Sequence, residues 1–152
     1  MTLTTEERVF IEAFEESTLP AGGFRHRDHV RLTWLYLHLY PVPVALGRIV
    51  DGLKRLVHRH GQDGLYHETI TYAFIFLINE RMERDGRAGS WEAFVGRNTD
   101  LLTRGKAVLD AYYRTETLDS DLARKIFVLP ATADKHRWTQ PQRNAETAAE
   151  RG

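Results

Sequence analysis

Apolar residues recur at helical spacing along most of this chain, and no alternating run marks a half-buried strand. Thr4-x-x-Glu7 forms a capping box ahead of Val9, Phe10, Ala13 and Phe14, predicting a first helix over about residues 5–17. Leu19-Pro20-Ala21-Gly22-Gly23 interrupts it. A second helix is expected from about His26 to Tyr40, where Pro41-Val42-Pro43 stops it. The third opens near Pro43 and reaches His60, with Gly61 in the position that usually ends a helix. After the turn Gln62-Asp63-Gly64, a fourth helix is predicted from about Tyr66 to Arg84, carrying Ile70, Phe74, Leu77 and Ile78. Asp85-Gly86-Arg87-Ala88-Gly89 closes it. Ser90 is placed to cap a short helix from Trp91, Gly105 sets off a segment through Tyr113, and Thr117 starts a last helix ending before Pro130. Residues 131–152 carry no apolar face and read as a mobile tail. The expected fold is all-α: one domain over 1–130, an antiparallel bundle of about four main helices covered by shorter C-terminal ones.

Steps of about 100° around each helix sort the histidines. His26 and His29 share a stripe with Val30, Thr33, Leu37 and Tyr40, while His38 falls with Arg27 and Arg31 on the side expected to face water. On the third helix His60 lies with Ile49, Leu53 and Leu56, and His58 with Asp51, Lys54 and Arg55. His67 aligns with Ile70, Thr71, Phe74 and Ile78. If helices two, three and four run up, down and up, then His26, His29, His60 and His67 share one end of the bundle. Neighbouring axes about 8–10 Å apart would let opposing imidazoles reach a common point.

Composition narrows the chemistry. The 152 residues hold 21 basic and 21 acidic side chains, so no net field draws nucleic acid or an anionic membrane. Cysteine is absent, which removes disulfides, thiolate metal sites and a cysteine nucleophile. The N-terminus lacks a signal-peptide pattern, and the longest apolar run, Ala73 to Ile78, is too short to span a bilayer. A cytoplasmic protein is expected, and the preference for arginine over lysine suits a GC-rich bacterial genome.

Imidazole is the commonest metal ligand, and helix N-termini disfavour its protonation. His26, His29 and His67 are therefore the candidate ligands of a divalent zinc, iron or copper ion, in the pattern of three ligands and one open position. His60 is a candidate fourth ligand or catalytic base, and Glu68 or Asp63 a group that orients an imidazole or takes a proton. Arg25 (with Arg27 beside it), Thr33 and Thr71 are candidate substrate contacts, the arginines for an anionic group. Each histidine also has an ordinary explanation: His60 as a partner for its own helix's last carbonyls, His26 as an N-cap, the others as hydrogen-bonded core residues. His67-Glu68 opens like a zincin motif, but Thr71 stands where its second histidine would be. No phosphate loop or nucleophile elbow is present.

Phe24-x-His26-x-x-His29, Tyr66-His67-Glu68-Thr69-Ile70-Thr71 and the closing Asp121-Leu122-Ala123-Arg124-x-x-Phe127 resemble a family of short uncharacterised bacterial proteins over about residues 20–130. In architecture the chain is also partly similar to the DinB-like metalloenzymes, helical bundles that bind a divalent metal through three histidines. That family places a single histidine early and a spaced pair late, the reverse of the order here, so no residue role is carried across. The first functional expectation is a small metal-dependent enzyme, hydrolase, lyase or oxidoreductase, acting on a small, partly apolar substrate. The alternatives are metal-free acid–base catalysis or small-molecule binding by the same histidines, and a helical interaction or regulatory protein in which they are structural.

Overall fold

The computed structural model describes residues 2–130, and all structural statements refer to these; the tail expected over 131–152 lies outside them. The chain is an all-α helical bundle. Its helices are α1 (Thr5–Glu15), α2 (His26–Leu39), α3 (Val42–Arg59), α4 (Glu68–Arg84), α5 (Trp91–Arg97), α6 (Asp100–Thr103), α7 (Thr115–Leu118) and α8 (Asp121–Lys125), with 3-10 turns at Asp63–Leu65 and Gly105–Ala111. Among the described residues, no helix is long and apolar enough to cross a membrane.

Helix α2 is the axis of the molecule, in contact with α3, α4 and α6. Every residue from Leu32 to Leu37 is buried, which spans more than a full turn, so the helix is covered on all sides. This enclosure corrects the expectation for His38. Its ring lies half-buried against Trp34 (centroids 4.3 Å apart), with Nδ1 2.9 Å from the Trp34 carbonyl oxygen and Nε2 3.3 Å from that of Arg87. The covering side chains come from α5, whose Trp91 and Phe94 lie 5.7 and 6.4 Å from the Trp34 ring. His58, in contrast, faces solvent as expected, paired with Asp63 at 3.0 Å.

Several boundaries have clear local causes. The Thr4 hydroxyl accepts the Glu7 N–H and the Glu7 carboxylate accepts the Thr4 N–H, completing the box that starts α1. Helix α1 stops at Glu15, two residues earlier than expected, because Ser17 turns to φ 55° and Thr18 bonds back to Ala13. Gly61, at φ 65°, closes α3, with Gln62 N–H on the Val57 carbonyl. Arg25, not His26, is the N-cap of α2, and the Asp28 carboxylate accepts its N–H at 2.8 Å. The expected last helix is two pieces, since Ser120 breaks the run and caps α8 through the Ala123 N–H. Arg81 on α4 grips Asp100 of α6 with two bonds of 2.6 and 2.7 Å, and this guanidinium holds the Asp100 carboxyl below its ordinary range.

Gly52 fixes the approach of α1 to α3. The fully buried Phe14 ring lies so close that a Cβ at position 52 would sit 2.3 Å from two of its atoms. Alanine normally stabilises a helix interior by about 1 kcal/mol over glycine. Here steric overlap dominates, since overpacking a core costs roughly 1–3 kcal/mol. Gly52→Ala is expected to lower the urea-unfolding midpoint; an unchanged or raised midpoint would contradict this packing.

Candidate functional site

The start of α2, the end of α3 and the start of α4 meet around a cavity of about 340 Å³. Its inner wall is apolar, formed by Leu32, Ile49, Leu53, Leu56, Ile75 and Ile78. All four inward histidines, His26, His29, His60 and His67, line it, together with Thr33, Thr71, Tyr66 and Lys106.

Three of the imidazoles are tied to backbone carbonyls of distant segments. His26 Nε2 lies 2.6 Å from the Leu101 oxygen of α6, His60 Nε2 2.9 Å from that of Leu19, and His67 Nε2 2.7 Å from that of Leu118, the last residue of α7. A carbonyl only accepts, so each Nε2 carries the hydrogen and donates it. Helices of four residues leave most of their carbonyls without local partners and do not persist alone, so the His26 and His67 bonds hold α6 and α7 against the bundle.

His67 is occupied twice. It stands one residue before α4 with extended backbone (φ −138°, ψ 110°), and its Nδ1 accepts the Ile70 N–H at 3.2 Å. It therefore works as an N-cap in the place usually taken by Ser, Thr, Asp or Asn. The expectation that α4 begins near Tyr66 and carries His67 on its inner face is corrected accordingly. With Nε2 donating and Nδ1 accepting, the neutral ring keeps no lone pair for a metal.

His29 differs from the other three. Neither ring nitrogen bonds to another described residue, and the ring packs against Phe24 with centroids 4.1 Å apart. Burial, reinforced by the neighbouring His26, pushes its pKa down to about 4, against a smaller opposing pull from Asp28. It is a neutral imidazole at neutral pH.

The remaining candidates divide between wall and surface. Thr33 and Thr71 are in the wall. Arg25 is exposed and outside it. Glu68 is also outside; its carboxylate accepts the Tyr66 hydroxyl at 2.7 Å and lies 3.6 Å from Lys54 Nζ. Burial and this carboxylate push the Tyr66 phenol well above its ordinary range. Asp63 serves the exposed His58 rather than the cavity. Sequence reasoning did not foresee Lys106 or Phe24 in the wall, nor the three carbonyls that orient the rings.

Among the described residues, no three His, Asp or Glu side chains are grouped so as to hold a metal ion. As arranged, the proposed trio of His26, His29 and His67 does not fit one, because His67 has both nitrogens engaged. No family model, curated protein or solved structure matches the chain. The geometry alone carries the functional reading.

Two outcomes test this site. His67→Ala removes both the cap and the donor to Leu118, and is expected to cost roughly 2–4 kcal/mol, whereas His67→Asn keeps a capping oxygen and recovers about 1 kcal/mol of it. Equal stability of the two variants would count against the capping role. For His29, the folded-state pKa lies below the free value of 6.5, so the unfolded chain binds the proton more readily. The stability from its neutral burial is complete above about pH 6.5 and is lost as pH falls towards 4, by up to roughly 3 kcal/mol. Denaturant unfolding between pH 7 and 4 is expected to show a shallower loss in His29→Gln than in wild type; parallel curves would refute it.

Proposed function

We propose that this protein binds a small, partly apolar molecule in the cavity at the histidine-bearing end of the bundle, with His29 as its main polar contact. The observation that carries the reading is the junction of an apolar cavity with an imidazole left without a protein partner. A pocket of this size, mostly apolar with a few converging polar groups, is the usual form of a small-molecule site. Thr33 and Thr71 add hydroxyls to the same wall.

Binding is favoured over acid–base catalysis by the character of His29. A general base works best with a pKa near the operating pH, and a ring pushed down to about 4 is a weak one. As a neutral imidazole it is suited to donating one hydrogen bond and accepting another. His60, the other candidate base, donates its Nε2 hydrogen to Leu19 and keeps its Nδ1 lone pair, so it is oriented by the scaffold. A metal-dependent enzyme would require His26, His29 and His60 to converge, since His67 cannot contribute. One feature supports it: metal-bound histidines commonly donate their other N–H to a carbonyl, as His26 and His60 do. Among the described residues no three such side chains are grouped to hold an ion, which places it second.

The test uses indole as a neutral apolar probe, followed by amide NMR. Saturable shifts are expected around His29, Thr33 and Thr71, and are expected to vanish in Val57→Trp, which fills the cavity from α3. No shifts, or shifts that persist in the filled variant, would overturn the binding reading. Titration of the same sample with zinc is expected to give no tight uptake; stoichiometric uptake abolished by His26→Ala would replace this reading with the metal-dependent one.

A further inference from the structure

We infer that the ligand of this cavity is an anion with an apolar body, of the class of medium-chain or aryl-substituted monocarboxylates; this rests on the reading of the cavity as a binding site. Among the described residues, no carboxylate lines the wall. The nearby acids are committed elsewhere: Asp28 to the Arg25 N–H, Asp63 to His58, and Glu68 to Tyr66 and Lys54. A buried cation would meet no countercharge and would lose its hydration uncompensated.

The features that do reach the cavity favour negative charge. Lys106 is in the wall, and its present partner is Asp119 at 3.2 Å, both side chains being more than half exposed. An exposed pair of that kind contributes little, so the ammonium is free to turn to a ligand carboxylate. His29 supplies an N–H donor without carrying a proton charge that burial would oppose. The starts of α2 and α4, helices of 14 and 17 residues, are both at this end and add positive potential. The deep wall of Leu32, Ile49, Leu53, Leu56, Ile75 and Ile78 has nothing to offer a second charge. The ligand is thus charged at one end only, its tail inward and its carboxylate towards His29 and Lys106.

Volume sets the scale. At roughly 30 Å³ for each water-sized group, a cavity of about 340 Å³ accepts a body of about eleven non-hydrogen atoms. Octanoate, octan-1-ol and octylamine share a tail of that scale and differ in head charge.

Isothermal titration of the full chain with each of the three at pH 7.5 tests the inference. Octanoate is expected to bind about tenfold more tightly than the alcohol, with octylamine weakest; tenfold corresponds to about 1.4 kcal/mol. In Lys106→Met the gap between acid and alcohol is expected to narrow. Alcohol or amine binding as tightly as the acid, while Val57→Trp still blocks it, would overturn the anionic ligand and leave the cavity reading standing. An acid–alcohol gap that Lys106→Met leaves unchanged would also overturn the role given to Lys106. If none of the three binds, both readings fall.

Discussion

Three imidazole-to-carbonyl hydrogen bonds hold this end of the bundle together. His26, His60 and His67 each stand where a main helix begins or ends, and each donates to a chain segment at least 41 residues away. Both sides of these contacts need a partner. A buried N–H without an acceptor and a short-helix carbonyl without a donor would each cost roughly 1–3 kcal/mol. Satisfied together, they seat the loop before α2 and the short helices α6 and α7. The aliphatic side chains below do not close the space that remains.

The same bonds determine which polar groups the cavity leaves open. Fixing hydrogen on Nε2 commits three of the four rings to the scaffold, with His67 held at both nitrogens. Of the four rings, His29 is the one with neither nitrogen bonded to another described residue, and burial depresses its pKa. In the proposed binding role, an uncharged imidazole facing an apolar space serves recognition before proton transfer. On that proposal, scaffold and site use one residue type for two purposes, distinguished by whether a carbonyl lies within reach.

Much of the architecture was legible in the sequence. Periodicity located the main helices and placed His26, His29, His60 and His67 at one end, because apolar stripes report which side of a helix is covered. Capping signals at Thr4, Gly61 and Ser90 marked boundaries for the same local reason. Errors arose where tertiary contacts decide. A helical wheel assumes one wet face and so puts His38 in water, but α2 has none along its centre. Periodicity puts His67 in the first turn of the fourth helix, although its extended backbone makes it the cap. Glu68 is a candidate on proximity in sequence alone, and its carboxylate lies with Tyr66 and Lys54. The partners that orient the rings are main-chain oxygens, identical in every residue type, so no pattern of side chains could announce them. This is why periodicity locates the imidazoles but not the carbonyls that orient them.

The most direct measurement is the protonation of each imidazole nitrogen, read by long-range ¹H–¹⁵N NMR at pH 8. The expected spectrum places His26, His60 and His67 in the Nε2–H tautomer, slowly exchanging, with His29 neutral and its pattern alone perturbed when a cavity ligand is added. A His67 protonated at Nδ1, or rings averaging freely between tautomers at all four positions, would contradict the carbonyl scaffold and with it the site built on it.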